Sequence, residues 1–438
     1  MKKFFNLSLI ALLAASMSLS SCNDDSNDNV EIDSNEPAYL SLSISMPKGM
    51  AQESMAVKTA TATAGESAIN SIDVLIYSQY GTFKSHNRFT EFTKNTDGTY
   101  TIPTAIQSTV GEKIILVGAN LAESVITSVE NKSLSEFIAS EHTFARANIK
   151  VANGLPMFSK ATTTTTLLKD VNNVVNVSIE RMVAKITVEK ATDMTNGITD
   201  GTLGDLQFAL QNFNTVQHLL PHSDVAGVYS QDPNWALDDY AAGEFSAVAS
   251  TDYVAVQEKQ TDVTALTGIY ATENTSEGKR KKEITYATVR ATFIPKQIIT
   301  YDATSEAYSL VDNAETSAKT FYLVVEPTHG QVYTYDNAVA SALVNDFSGT
   351  MLTYTGGYCY WYLWLNKDSS QGSERWDIVR NNFQRCTING ITTIGRPKEV
   401  VDDQVELERT PEDDASIEVS INVLDWNTPI EDGYVLGN

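Results

Sequence analysis

The sequence contains little positive charge. Its 438 residues include 31 lysines and arginines against 55 aspartates and glutamates, so the formal net charge is -24. Proteins that bind nucleic acid present a basic surface to the phosphates, and therefore nucleic acid is not expected as a partner. A strongly acidic surface is typical of a soluble protein outside the cell.

Catalytic motifs and metal-ligand patterns are also missing. The sequence contains no GxSxG, HExxH, CxxC, GxGxxG or P-loop motif. Of its five histidines, only His218 and His222 have a ligand-like spacing, and Pro221 argues against the helix that this spacing requires. We expect both histidines to lie exposed in a loop. The sequence therefore predicts a non-enzymatic protein without catalytic residues, bound metal or cofactor.

Cysteine is scarce, with three residues in the whole chain. Cys359 and Cys386 lie in two strand-like runs, and a hairpin with its loop near residues 370–373 would place them almost opposite each other. A cross-strand disulfide is one interpretation. Two buried free thiols are favoured, because cysteine often behaves as a small apolar core residue and disulfide geometry is demanding.

Long hydrophobic runs are absent except at the N-terminus. Lys2 and Lys3 precede an apolar segment over residues 4–19, which ends in Leu19-Ser20-Ser21-Cys22. A basic start, an apolar run and small residues before a cysteine resemble a bacterial lipobox, with Cys22 as the lipidated residue. The alternative is a plain secretory signal with a chance cysteine. No other stretch is apolar for long enough to cross a bilayer.

Strand patterns dominate the rest of the chain and predict an all-β protein, most simply two β-sandwich domains. Helical periodicity is confined to two short candidates, residues 133–142 and 235–245. The run at residues 174–189 is too long for one typical strand, so we place the domain boundary near residue 180. The basic stretch at 276–283 is interpreted as a hairpin loop, with a patch for an anionic partner as the alternative.

The two ends of the folded chain share one pattern. Near the N-terminus, apolar residues alternate with serines, which places one apolar stripe on one face of a strand; its members are Leu40, Leu42, Ile44 and Met46. A low-complexity loop follows. Near the C-terminus the same alternation recurs after an acidic stretch; its members are Ile417, Val419, Ile421 and Val423, followed by Trp426. Two strands with one period-two pattern can fill one groove.

Five ordered stretches and the C-terminal strand resemble the fimbrilin family of Bacteroidetes type V pili, most closely its stalk subunits. The five are the lipobox at Cys22, AYLSLSISMP (38–47), IERMVAKITV (179–188), ATVRATFIPK (287–296), and YWYLWLN with VRNNFQRCTINGITTIG between 360 and 395. The acidic residues after Cys22 resemble the family's surface-export signal, and a solvated acidic linker is the alternative.

The resemblance implies a fold, a maturation route and a set of partners. It implies two transthyretin-like, Greek-key β-sandwich domains and export as an outer-membrane lipoprotein precursor. A surface protease then removes the first strand, here called the plug strand. The vacated groove accepts the C-terminal strand of another subunit, and repetition builds a fimbria that supports adhesion and colonisation. The implied partners are further copies of the chain, related fimbrial subunits, the protease, and the outer membrane through the precursor's lipid.

The family's best-known members are cut after arginine, but no arginine occurs here between Cys22 and Arg88. Lys58 is the favoured cleavage residue, because small and flexible residues follow it, and Lys48 is the next candidate. The chain is then divided into a signal peptide (1–21), an export linker (22–36), the plug strand with its loop (37–58), two domains (59–180 and 181–398), an acidic spacer (399–415) and a donor strand (416–438).

Two questions of role stay open at this level. The chain could instead be a membrane-retained anchor, a tip adhesin or a glycan-binding surface lipoprotein; a separate C-terminal strand favours a stalk or base position. The strand at 417–426 could also be the last strand of its own domain. In that case the donated part would be the tail at 430–438, where Tyr434, Val435 and Leu436 are apolar.

Overall fold

The computed structural model describes residues 35–46, 59–223, 230–235, 245–366, 375–402, 404–411 and 417–427. Strands make up most of the regular structure, because Val, Ile, Thr and aromatic residues recur between Gly, Asn and Asp turns. This confirms the predicted all-β class with a few short helices.

The first strands are β1 (Pro37–Ser45), β2 (Thr59–Thr61), β3 (Ile72–Ser78), β4 (Phe83–Phe89), β5 (Thr93–Lys94), β6 (Tyr100–Thr101), β7 (Ile106–Thr109), β8 (Gly111–Ala119), β9 (Glu141–Thr143), β10 (Met157–Ser159), β11 (Thr163–Leu167) and β12 (Asn173–Arg181). They are followed by β13 (Val183–Asn196), β14 (Gly201–Leu203), β15 (Gln207–Gln211), β16 (Phe213–Asn214), β17 (Val216–His218), β18 (Phe245–Ser246), β19 (Val254–Ala255), β20 (Gln257–Glu258) and β21 (Ile269–Thr272).

The last strands are β22 (Tyr286–Pro295), β23 (Gln297–Asp302), β24 (Ala307–Asp312), β25 (Phe321–Glu326), β26 (Gly330–Thr334), β27 (Thr350–Tyr354), β28 (Tyr358–Trp364), β29 (Asn382–Ile391) and β30 (Ile417–Asn427). The helices are α1 (Glu123–Thr127), α2 (Leu134–Ile138), α3 (Asn337–Phe347) and α4 (Gln404–Leu407). Within the described residues, no helix is long and apolar enough to span a bilayer.

Helix α2 lies inside the first predicted helical stretch, and its start has a physical cause. Ser133 and Glu136 form a capping box, in which each side chain accepts a hydrogen bond from the other residue's backbone N–H. Most of the second predicted helical stretch lies outside the described residues. The longest helix of the described chain, α3, was not predicted.

The first sheet contains ten strands and folds over on itself. Its main path runs β4-β3-β8-β10-β12-β1-β6-β5, with β11 paired to β8 and β7 paired to β1. One hydrophobic cluster gathers side chains of β1, β3, β8 and β12, so that β1 packs across a shared core from β3 and β8. This cluster is the part of the core on which the candidate site depends.

The long run around residue 180 divides at Met182. Strand β12 ends at Arg181 in the first sheet, and β13 begins at Val183 in a second sheet ordered β2-β30-β29-β13-β20. A second hydrophobic cluster joins the back of the first sheet to the strands that follow residue 182. The two halves of the chain therefore share a packed contact through one core.

The two internal cysteines do not face each other across a hairpin. Strand β28, with Cys359, pairs with β22, whereas β29, with Cys386, pairs with β13 and β30. The hairpin hypothesis was wrong, because each strand has a partner distant in the sequence. Both thiols are free and buried, as favoured, and burial raises the pKa of Cys386 to about 12.

The basic stretch at 276–283 has acidic partners within the chain. Glu406, in α4, accepts from Lys281 at 2.6 Å, and Glu408 accepts from Lys282 at 2.6 Å and from Arg280 at 3.3 Å. The predicted acidic spacer thus folds back onto the basic loop in its described part. A basic patch reserved for an outside partner is not supported.

Candidate functional site

Strand β1 carries the apolar stripe that its sequence predicts. Leu40, Leu42 and Ile44 are at most 2% exposed and Met46 is 8% exposed, whereas Tyr39 on the opposite face is 52% exposed. Full burial of four such side chains contributes roughly 6–12 kcal/mol, at about 1.5–3 kcal/mol each. The strand is thus held chiefly by its inward face.

The backbone of β1 is paired on both sides. It runs parallel to β12, from Leu40 opposite Asn173 to Ser45 opposite Ser178. On its other side it pairs antiparallel with β7 and then with β6. A strand in this middle position satisfies hydrogen-bonding groups on two neighbours. Its removal would leave two unpaired strand edges, which is the condition under which a sheet accepts a strand from another chain.

The floor beneath β1 is apolar and is formed by strands that come later in the chain. It is formed by alternate residues of β3, β8 and β12, all at most 3% exposed: Ile72, Val74, Ile76, Ile115, Val117, Val175, Val177 and Ile179. None of these residues precedes the loop at 47–58. Removal of β1 would therefore expose a groove whose walls and floor remain in the chain; we call it the β1 groove.

The chain segment after the loop is attached to a different sheet. Strand β2 pairs parallel with β30, Thr59 opposite Asp425. The loop therefore joins β1 in the first sheet to β2 in the second. Lys48 and Lys58, the predicted cleavage residues, lie in this loop, outside the described residues. Cys22, the predicted lipidation residue, precedes β1 and also lies outside the described residues.

A buried ion pair fixes the segment just beyond β2. Glu66 and Lys185 are each 1% exposed, and their charged groups lie 2.7 Å apart. The Glu66 carboxylate also accepts hydrogen bonds from the Tyr270 hydroxyl at 2.7 Å and the Thr63 N–H at 2.6 Å. Burial alone would raise the pKa of Glu66, but the hydrogen bond and charge of Lys185 and the hydrogen bonds from Thr63 and Tyr270 together outweigh it, and the pKa is lowered. The carboxylate therefore stays ionised and anchored.

The C-terminal strand pairs within its own chain. Strand β30 runs antiparallel to β29, from Ile417 opposite Ile391 to Asp425 opposite Asn382. On its other side, the described residues provide one partner, the three residues of β2, which pair near the end of β30. The backbone of the predicted donor residues thus forms the last strand of the second sheet, as the alternative interpretation predicts. The tail at 428–438 lies outside the described residues.

The prediction of two exposed loop histidines was wrong. His218 is 8% exposed in β17, and its ring stacks on that of His222 with centroids 3.8 Å apart. His218 donates to the carbonyl of Ser140 and His222 to that of Ile138, each at 3.0 Å. Strand β17 pairs with β9, which places His142 opposite Gln217. These histidines tie the two halves of the chain together.

The buried His142 and His218 and the half-buried His222 predict a stability loss in acid. Burial lowers the pKa of His142 and of His222 to about 4, and lowers that of His218. An unfolded histidine titrates near 6.5, so the unfolded chain takes up protons before the folded chain does, and stability falls as pH drops from about 6.5 to 4. Nearby Arg380 and Lys132 oppose protonation, and Glu273 favours it.

We expect the melting temperature, measured by circular dichroism, to fall steadily between pH 7 and pH 4.5. His86 works in the opposite direction, because hydrogen bonds to Asp73 and Glu130 raise its pKa. A His142→Gln variant should therefore show a smaller fall than the wild type, and His86→Gln a larger one. Equal falls in all three proteins would contradict this role of the buried histidines.

Within the described residues, no group of three or more His, Cys, Asp or Glu side chains is arranged to hold a metal ion. The features missed at the sequence level are the Glu66–Lys185 pair and the histidine contacts. Alternation alone gives no signal for either, since both join residues far apart in the chain. The arrangement is a strand with a buried apolar stripe near one end of the chain, packed over an apolar floor, and a strand with the same sequence alternation near the other end.

Two family models match the chain. Residues 38–208 match the major fimbrial subunit protein (FimA), and residues 352–432 match the C-terminal part of the major fimbrial subunit protein type IV, fimbrillin. No curated protein matches it. A fimbrilin (FimA) from Porphyromonas gingivalis W83 has a similar fold, with a TM-score of 0.52, 15% identity, and coverage of 90% of this chain and 99% of that one.

A putative cell adhesion protein from Parabacteroides distasonis ATCC 8503 is similar to the same extent. Its TM-score is 0.51, its identity is 15%, and the alignment covers 90% of this chain and 99% of that one. At 15% identity, these similarities show a shared fold and no more.

Proposed function

The chain belongs to the fimbrilin family of fimbrial subunits, and on this premise we propose that it is a stalk subunit of a cell-surface fimbria, polymerised by exchange of β1 for the C-terminal segment of a neighbour. The observation that carries the proposal is the position of β1. It is a middle strand with a buried stripe, yet only the loop at 47–58 joins it to the residues that follow. Removal of β1 leaves the β1 groove with two open edges.

We propose a structural, non-catalytic role. The energy of assembly would come from refilling the β1 groove, whose floor of aliphatic side chains offers no chemistry beyond burial and backbone pairing. Adhesion and support of colonisation follow from the fibre as a whole. A membrane-retained anchor and a tip adhesin are the alternatives. An anchor would differ from the stalk in keeping its N-terminus, and a tip adhesin would differ in not donating its C-terminal segment.

Export as an outer-membrane lipoprotein, with lipid on Cys22, is part of this proposal. Two or three acyl chains hold a protein firmly on a membrane, since each buried methylene contributes about 0.8 kcal/mol. The lipid would keep the precursor at the surface until the protease cuts. The cut would then release the lipidated segment and β1 together, because both lie before the loop.

A cut at Lys58 suits the arrangement on both sides of the loop. It would free β1 and leave all of β2 paired with β30. The Glu66–Lys185 pair would hold the new N-terminal segment in place. The cut itself would thus remove the plug strand without loosening the second sheet, which would change only when β30 is donated to another copy.

We expect the protein sheared from the cell surface to begin at Thr59 and to carry no lipid, as read by N-terminal sequencing and intact mass. The Lys58→Ala variant should keep β1, accumulate as lipidated precursor and remain monomeric. The matched variant Lys48→Ala should mature normally. Assembled fibres with an acylated Cys22 at their N-terminus would indicate an anchor, and rapid polymerisation of Lys58→Ala would place the cut elsewhere.

A further inference from the structure

An exposed patch lies beside the end of the β1 groove where β1 begins. Leu168, Val171 and Val174 are 48%, 48% and 58% exposed, and Lys169 stands among them. They occupy the connection between β11 and β12 and the start of β12. We call these four residues the docking rim.

The contacts that the docking rim makes with the N-terminal segment all involve residues that a cut in the loop would remove. Lys169 pairs with Glu36 at 2.9 Å. The side chain of Asn173, at the start of β12, donates to the carbonyl of Tyr39 at 2.8 Å and to that of Leu168 at 3.0 Å. Once β1 leaves, the groove mouth therefore presents Lys169, with Asp170 next to it, beside three apolar side chains and without Glu36 or Tyr39.

The sequence contains a second segment with the same arrangement of charge and apolar residues. Residues 36–46 read EPAYLSLSISM, and residues 413–423 read DDASIEVSINV. When the two segments are aligned without a gap, both have an acidic residue at the first position and alanine at the third. Every position that β1 turns into the core is then apolar in both segments. The second segment belongs to β30 and to the acidic residues that precede it in the sequence.

We propose that the docking rim is an interaction surface for a second copy of this chain, and that it sets the register of the incoming strand. The incoming β30 runs parallel to β12, with Ile417 in the place of Leu40 and Asp413 in the place of Glu36, beside Lys169. This inference rests on the proposed function, because it presumes that the C-terminal segment enters the β1 groove. Charge complementarity between Lys169 and an acid at the same sequence offset favours this occupant.

The proposed register predicts which outward-facing residues of β30 and β12 lie opposite each other. In the single chain, Ser41 lies opposite Val174 and Ser43 opposite Asn176. In the assembled pair, Glu418 therefore takes the place opposite Val174, and Ser420 the place opposite Asn176. To reach this position β30 must leave β29 of its own sheet. Among the described residues, the side of β30 away from β29 is paired with β2, near the end of β30.

Cysteine cross-linking between two single variants tests the register. Val174→Cys and Glu418→Cys, each in protein cut free of β1, are mixed and oxidised, so that a disulfide dimer can arise only between copies. The native Cys359 and Cys386 are buried with raised pKa values, and Cys22 is absent after the cut, so the native cysteines add no background; each variant oxidised alone gives the level of like-with-like dimers. We expect a strong reducible dimer with Glu418→Cys and a weak one with Asn422→Cys, four residues further on.

A charge exchange tests the rim itself. Lys169→Glu should slow elongation roughly two- to fivefold, the effect of one exposed ion pair, and Asp413→Lys in the same chain should restore the rate. The matched control is Lys160→Glu, which should elongate normally. Lys160 is an exposed lysine just after β10, and its N–H donates to the carbonyl of Ser178 near the other end of β12. Equal rates for Lys169→Glu and Lys160→Glu would overturn the role of the rim.

The outcomes separate this inference from the proposed function. Fibres that grow normally but cross-link Val174→Cys to Asn422→Cys, or to Tyr434→Cys in the tail, would overturn the register while leaving strand exchange intact. Cut protein that does not polymerise, or that polymerises equally well without its C-terminal segment, would overturn the proposed function. A dimer at Glu418 together with charge rescue supports both.

Discussion

Deletion of residues 416–438 from protein already freed of β1 is expected to abolish polymerisation and leave monomers or short oligomers. The segment supplies the aliphatic side chains that refill the β1 groove, worth roughly 6–12 kcal/mol before the entropy of association is subtracted. Backbone pairing along β12 and β7 adds to this. The measurement is the length of SDS-resistant ladders, compared with those of the full-length cut protein.

A point variant gives the same test with less disturbance. Ile421→Asp places a charge on the apolar stripe of β30 and should cost several kcal/mol of groove binding, because an unpaired charge is expensive to bury. Asn422→Asp adds the same charge at the neighbouring position of the alternation and is the matched control. We expect short oligomers from the first variant and normal ladders from the second.

The deletion also removes from the second sheet the strand that lies between β2 and β29, so the fold of the shortened protein needs an independent measure. The deleted protein keeps the β1 groove, and it should therefore accept one strand from an intact copy. Added in small amounts to polymerising wild type, it should cap chains and shorten the ladders. Ladders of normal length from the deletion variant alone would show that the C-terminus does not join subunits.

The alternation of apolar and polar residues was sufficient to predict the fold class and the stripe of β1, because period two fixes which side chains enter a core. The same pattern does not predict which strands pair with each other. The sequence therefore suggests a hairpin of β28 and β29, although the two strands belong to different sheets. Strand pairing at long sequence separation depends on the packing of the whole domain, which no local window contains.

Helix α3 was missed although its start carries a local signal. Asp336 accepts hydrogen bonds from the N–H groups of Ala338 and Val339, and the helix buries Ala340 and Leu343 three residues apart. An aspartate N-cap before such spacing is readable from sequence. The valines in this stretch also fit a strand, and the strands on either side dominate the local pattern.

The Glu66–Lys185 pair could not be predicted for a different reason. In the run VAKITV, Lys185 alternates with apolar residues, so a period-two interpretation turns it toward solvent. The structure buries it, because the segment after β2 crosses this face of β13 and brings a carboxylate to it. A buried charge is tolerated only with a partner, and here the partner is 119 positions earlier in the sequence (185 − 66).

Lys185→Met is expected to destabilise the mature protein by about 3–5 kcal/mol, since removal of one member of a buried ion pair leaves the other charge uncompensated. Glu66 would keep only the hydrogen bonds from Tyr270 and Thr63. Replacing both members, as Glu66→Leu with Lys185→Met, should recover much of the loss, because an apolar pair of similar volume avoids the desolvation cost. Denaturant unfolding followed by tryptophan fluorescence measures both changes.

The matched control lies on the same strand. Lys190 pairs with Glu258 at 2.9 Å, but the two side chains are 37% and 56% exposed, so Lys190→Met should cost at most about 1 kcal/mol. Similar losses from Lys185→Met and Lys190→Met would mean that burial of the first pair carries no special cost. A large loss at Lys185 alone, reversed in the double variant, would establish the pair as the anchor that holds the N-terminal segment once β1 has gone.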